Sequence, residues 1–156
     1  MSLYADILTV LKEDSRYSLS TIAKMVGLDE KTVQNAIIEM EQKGIIVKYT
    51  AVGNQANVEA LIEVRVTPQK DMGFDEIARE IASCPEVKNL YLMSGAYDLA
   101  VTVEGNTLQE VSAFVHEKLA IMDNVTSTAT HFILKCYKIE GVILEGKLSE
   151  TRISQA

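Results

Sequence analysis

What this chain of 156 residues has little of narrows its chemistry first. Its two cysteines, Cys84 and Cys136, lie far apart, with no CxxC spacing and no His pair beside them. That spacing points away from a zinc site or a disulfide framework and toward two reduced core thiols. The eight glycines are scattered rather than gathered into a phosphate-cradling loop. HExxH is missing, and no Ser/His/Asp set stands in a recognisable context, so the sequence carries no catalytic constellation and no metal site. No apolar run approaches the roughly 20 residues that span a bilayer. The opening MSLYADILTV has neither a basic stretch nor a small-residue cleavage site, which predicts a cytoplasmic protein. Positive charge is also scarce: 15 Lys/Arg stand against 22 Asp/Glu, a net charge of −7. A protein that coats nucleic acid indiscriminately needs a broad basic surface, and this composition excludes one.

What is present divides unevenly. Residues 1–54 hold six Lys/Arg and seven Asp/Glu, whereas residues 55–156 hold nine and fifteen. A nearly neutral third followed by an acidic remainder fits two modules with different partners, or simply a solvated acidic surface. In the first module Leu3, Ile7, Val10 and Leu11 recur at helical spacing. Ser18 is placed to cap a second helix carrying Ile22, Ala23 and Val26, and Gly27 to close it in the left-handed conformation. Asp29 then caps a third helix, with Val33, Ala36, Ile37 and Met40 on one face and Gly44 as the stop. Three short helices around a tight Gly turn are a helix-turn-helix pattern. The following IIVKYTAVGN alternates and is rich in β-branched residues, which predicts a small β-wing.

After Asn54 the period becomes two. Val58, Ala60, Ile62, Val64 and Val66 alternate with Glu59, Leu61, Glu63 and Arg65, a strand with one buried face. Phe74, Ile77, Ala78 and Ile81 form a helix that Cys84-Pro85 ends. Strands are expected over 87–93 and 97–104, joined by SGAYD. Asn106 with Gln109 makes a capping-box-like start for a helix bearing Leu108, Val111, Val115 and Leu119, and a last strand is expected over 126–138. The order β-α-β-β-α-β predicts an α+β chain: a winged helix-turn-helix, then a ferredoxin-like sandwich of antiparallel sheet and two helices. The expected division is 1–54 for the helical module with wing and linker, and 55–156 for the sandwich and C-terminal tail. Leu61, Leu90, Leu92, Ala100, Ile133 and Tyr137 alternate so as to face away from the helices. An apolar outer face of this kind calls for a partner subunit, unless the tail after Gly141 covers it.

The combined pattern LSTIAKMVGLDEKTVQNAIIEMEQKGIIVKYTA, followed by the sandwich with LMSGAYDLAV and NVTSTATHFIL, resembles the Lrp/AsnC family of feast/famine transcriptional regulators over nearly the whole chain. The resemblance rests on Leu19 with Ile22-Ala23, Val26-Gly27-Leu28, Glu41 with Gly44-Ile45-Ile46, Tyr49-Thr50-Ala51, Ser94-Gly95 with Tyr97-Asp98, and Val125 with Thr128 and Thr130. It implies sequence-specific DNA binding, a ligand-sensing and oligomerising sandwich, dimers that assemble to tetramers or octamers, and an amino acid as effector rather than a cofactor. The departure lies in the third helix. Family members usually carry arginines near the positions of Ala36, Ile38 and Glu39, and this chain has none there.

Projected at 100° per residue, the third helix turns Lys31, Gln34, Asn35 and Ile38 away from its apolar face. Gln and Asn pair bidentately with adenine and Ile meets a thymine methyl, so this face suits A·T-rich DNA. A solvated polar surface is the competing reading. Thr32, Lys24 and Lys48 complete the candidate DNA contacts, with Lys12, Arg16 and Lys43 as further cations for phosphate. With so few charges one unit should bind weakly, and an oligomer should recover affinity through effective concentration. For the effector, the resemblance points to Ser94, Gly95, Ala96, Tyr97 and Asp98, faced by Met122, Asn124, Thr126 and Thr128. A plain hairpin whose Asp98 satisfies turn amides is the alternative. His116 and His131 read as solvated and structural. Two other functions remain open. A sirohaem-decarboxylase-like enzyme would need cations in an acidic sandwich. An amino-acid-binding module could carry a degenerate DNA-binding domain.

Overall fold

The computed structural model describes residues 3–54, 57–67 and 73–144. Two compact units divide at Ala51/Val52. The first has three helices: α1 (Leu3–Glu13), α2 (Leu19–Val26) and α3 (Glu30–Gln42). Its core is small and wholly apolar, formed by Ile7, Leu11, Ile22, Ala23, Val33, Ala36 and Met40. Local chemistry sets the helix ends. Ser18 Oγ accepts from the Thr21 amide at 3.1 Å, and Gly27 takes φ 71° at the end of α2. Asp29 accepts from the Thr32 amide at 2.9 Å, and Gly44 at φ 67° lets Ile45 N–H return to Met40 O. These are the expected caps, in the expected places.

The segment 45–54, expected as a wing, forms no strand. Strand geometry needs a second backbone to pair with, and within this stretch Val47 and Val52 stay exposed with no ladder partner among the described residues.

The second unit follows the split order: β1 (Val58–Val66), α4 (Phe74–Ala82), β2 (Val87–Leu92), β3 (Leu99–Gly105), α5 (Leu108–Phe114) continued by a π-helical turn (Val115–Leu119), and β4 (Val125–Phe132). The antiparallel sheet runs β2-β3-β1-β4, with β1 paired on both sides. Ala60, Ile62, Val64 and Val66 meet Leu99, Val101 and Val103 and the helix residues Ile77, Ile81, Val111, Phe114 and Leu119 in one core. Two short strands, β5 (Lys138–Ile139) and β6 (Val142–Ile143), pair around the left-handed Glu140 and Gly141.

Four expectations change. The cap of α5 is Thr107, not Asn106: its hydroxyl accepts from the Glu110 amide at 3.1 Å, while Glu110 accepts from Asn106 N–H. The box is thus formed one residue later, by Thr107 and Glu110. The last strand stops at Phe132 rather than 138: its pairing with β1 ends at Ala60 and Phe132, with one further bond from Ile133 N–H to Glu59 O. Leu90 and Leu92 do not face outward. The register shifts between Val87 and Asn89, so Leu90 lies opposite Val101 and Leu92 opposite Leu99, on the helix side. Cys136 is no core thiol; it lies in the segment after β4 and donates to Lys138 O at 3.3 Å, whereas Cys84 does pack against the core.

The outer face is therefore more polar than expected. Lys88 bridges Glu104 at 2.6 Å and Glu59 at 3.6 Å. Asn89 donates to Thr102, and His131 stands 3.4 Å from Glu63. Leu61, Tyr91 and Ala100 are its apolar members.

Candidate DNA-reading and effector sites

In the helical unit Val33, Ala36 and Met40 pin α3 to the core, which turns Lys31, Gln34 and Asn35 to solvent. Ile38 remains 43 % exposed beside them, an apolar side chain on an otherwise polar stripe. Thr32 is committed locally, its hydroxyl donating to Asp29 at 2.5 Å, so what it offers outward is limited. Lys24 on α2 and Lys48 after α3 are exposed. Of the candidate cations, Arg16 pairs with Asp14 and Lys43 with Glu39. Lys12, Lys24, Lys31 and Lys48 make no ion pair among the described residues. Ala36, at one of the positions where the family resemblance leads one to expect arginine, is buried in the core, where no cation fits.

In the sheet unit the two sequence-predicted walls of the effector site meet at one end of β1. From the β3 side, Asp98 N–H donates to Val64 O at 3.0 Å, and its carboxylate accepts from Val66 N–H at 2.9 Å. From the β4 side, Thr67 N–H donates to Asn124 O at 2.9 Å, and Thr126 Oγ1 to Arg65 O at 3.1 Å. The backbone of 64–67 is thus a shared ledge. No side-chain signal in the sequence announces it, because its atoms are peptide groups. Ser94, Gly95 and Ala96 are exposed and Tyr97 is half-buried; Gly95 has φ 146°, a conformation other residues rarely adopt. Met93 N–H closes the turn on Asp98 O at 2.8 Å. Asp98 therefore braces the turn against β1 and has one carboxylate oxygen already engaged. Met122 packs against the core and its carbonyl accepts from Val125 N–H. Thr128 lies opposite Val64, on the helix side of β4.

A groove of about 310 Å³ opens elsewhere, lined by Glu86, Glu110, Ala113, Phe114, Glu117 and Lys118. None of the predicted effector residues lines it. Lys118 donates to Glu86 Oε1 and holds that carboxyl below its ordinary range, while Glu86 Oε2 is buried without a partner. Among the described residues no group of three His, Cys, Asp or Glu is placed to hold a metal. No helix there is long and apolar enough to cross a membrane.

A capped three-helix unit followed by a split βαββαβ sheet is the architecture of a helix-turn-helix transcriptional regulator with a ligand-binding domain. Comparison with known proteins agrees. Residues 6–47 match the model of a winged helix-turn-helix DNA-binding domain, and residues 59–143 that of the Lrp/AsnC ligand-binding domain. The chain belongs to the Lrp/AsnC family. It is 44 % identical over 154 residues to the uncharacterized HTH-type transcriptional regulator YugG of Bacillus subtilis, covering 95 % of this chain and 93 % of that one. Two solved structures share the fold. One is a transcriptional regulator of Neisseria meningitidis in complex with L-Met, with 23 % identity, a TM-score of 0.73, and 93 % and 96 % of the two chains covered. The other is AsnC of E. coli, with 22 % identity, a TM-score of 0.68, and 88 % and 93 % covered.

Proposed function

We propose that this regulator is a cytoplasmic homo-oligomer that acts by binding rather than by catalysis, reading A·T-rich DNA with α3 and responding to an amino acid. The observation that carries the DNA reading is the exposed stripe Lys31, Gln34, Asn35 and Ile38, backed by a buried opposite face. Its amides suit adenine edges, its isoleucine suits a thymine methyl, and it offers no arginine for guanine. The few unpaired lysines make a single unit a weak binder, so affinity rests on several units engaging one DNA segment. Dimers that assemble further meet this need, and Leu61 and Tyr91 on the outer face of the sheet, with Ile133 just beyond β4, give a second copy apolar surface to cover. The turn 94–98 and the opposing Met122, Asn124, Thr126 and Thr128 are the effector contacts we favour. Support comes from their convergence on one end of β1 and from the L-Met bound by the Neisseria meningitidis regulator.

Recovery of genomic fragments bound to the purified protein, with and without each of the twenty amino acids, tests the whole reading. Enrichment of A·T-rich fragments, altered by one or a few amino acids, is the expected result. Recovery of fragments with no base preference, and indifference to every amino acid, would sink it. Light scattering in parallel should give a mass of at least two chains.

A further inference from the structure

The puzzle left by α3 is how a helix bordered by carboxylates approaches a polyanion. Glu41 follows Gln34 by seven residues and so stands almost directly above it, at one border of the exposed stripe. Glu39 follows Asn35 by four and stands at the other border. An unrestrained carboxylate at either place repels phosphate. Both are restrained. The Tyr49 hydroxyl donates to Glu41 Oε1 at 2.8 Å. Lys43 Nζ donates to Glu39 Oε1 at 2.6 Å, and Glu39 is near enough to the Tyr4 hydroxyl to raise its pKa. Lys43 also sits 5.5 Å from the centre of the Tyr4 ring. Tyr49 lies on the segment after α3 and Tyr4 on α1, so both hydroxyls come from outside the reading helix. Partial burial, and then Glu41, raise the Tyr49 pKa, so Tyr49 remains a donor at neutral pH.

We propose that Tyr49 is a positioning residue for DNA binding, holding the Glu41 carboxylate against the segment that follows α3 and away from the stripe that meets DNA. Lys43, its ammonium over the Tyr4 ring, holds Glu39 on the other border. This rests on the reading of α3 as the DNA-facing helix. It explains how an arginine-poor helix with two glutamates beside its reading residues remains usable: the negative charge is parked rather than absent. Tyr49→Phe is the clean probe, since it keeps the ring and the net charge and removes the donor alone, whereas any change at Lys43 also removes a cation.

The experiment is a double-mutant cycle on the full chain, reading affinity for a labelled A·T-rich duplex at low salt. Tyr49→Phe should weaken binding about three- to tenfold, the scale of one poorly screened charge. Glu41→Gln should bind at least as tightly as the parent, and Tyr49→Phe made in the Glu41→Gln background should cost nothing further. An equal loss in both backgrounds marks a merely structural tyrosine and overturns the proposal, as does a Tyr49→Phe protein that binds like the parent. A parent chain that retains no duplex at all removes the DNA reading itself, and this inference with it.

Discussion

The helical unit and the sheet unit reach order by different means. Among the described residues the first gathers seven buried ones and depends on its helix ends: Ser18, Gly27, Asp29 and Gly44 are each set by a side chain or a left-handed φ. The second gathers thirteen buried residues across a four-stranded sheet whose central strand is paired on both edges. A small core leaves a thin margin, so each end signal counts for more of the total in the first unit than in the second. The DNA-reading unit is thereby the more easily perturbed partner.

The largest test strikes at the cores. Met40→Ala and Ile62→Ala both remove fully buried side chains, and each should cost about 2–5 kcal/mol. Hydrogen exchange should show Met40→Ala stripping protection from α1–α3 while the sheet remains protected. A single cooperative loss across both units would break the contrast. Next comes Gly27→Ala, where an added Cβ meets nothing within 4 Å, so the cost is that of the left-handed backbone alone, about 1–2 kcal/mol. Denaturant titration should find it in the helical unit only. Smaller still, Ser18→Ala and Thr107→Ala each delete a cap, at about 1 kcal/mol. The Ser18 change should lower DNA affinity at 37 °C while the Thr107 change leaves it intact; equal effects would blur the distinction.

The mildest probe is acid. Arg16, through its side chain and amide, holds the Asp14 carboxyl at about 2, and Thr32 and Lys43 lower those of Asp29 and Glu39. In the sheet unit, Lys118 lowers Glu86, and Asn57 with Lys88 lowers Glu104. Groups depressed in the folded state contribute stability that is complete above the unfolded values of 3.8 for Asp and 4.5 for Glu. That contribution is lost as pH falls through the lower folded values. Acid titration followed by methyl NMR should therefore unfold the helical unit at a higher pH than the sheet, since it has the smaller reserve.

The same contrast governs how far the sequence could be read. Helix ends in the first unit depend on residues within five positions of one another, so Ser18, Gly27, Asp29 and Gly44 were legible directly. Strand existence was legible too, because the alternation of Val58 to Val66 is local. Pairing is not local. The shift between Val87 and Asn89 puts Leu90 and Leu92 on the helix side, and only the presence of β3 reveals it. β4 leaves β1 after Phe132, a limit that the residues 133–138 do not carry. The wing failed for the same reason, since β-branched residues make a strand only when another backbone lies alongside. For the candidate sites, outward-facing residues on α3 could be derived from the helical period. The ledge at 64–67 could not, being made of peptide groups.

One consequence of the sheet order is mechanical. β1 starts shortly after the segment that leaves α3 and ends, after nine residues and roughly 26 Å of extended chain, at the ledge where Asp98 and Asn124 are anchored. Locked by neighbours on both sides, it is a stiff rod rather than a tether. The turn that Asp98 braces and the segment that Asn124 closes therefore share one fixed backbone, and neither can part from it without breaking hydrogen bonds to residues 64–67.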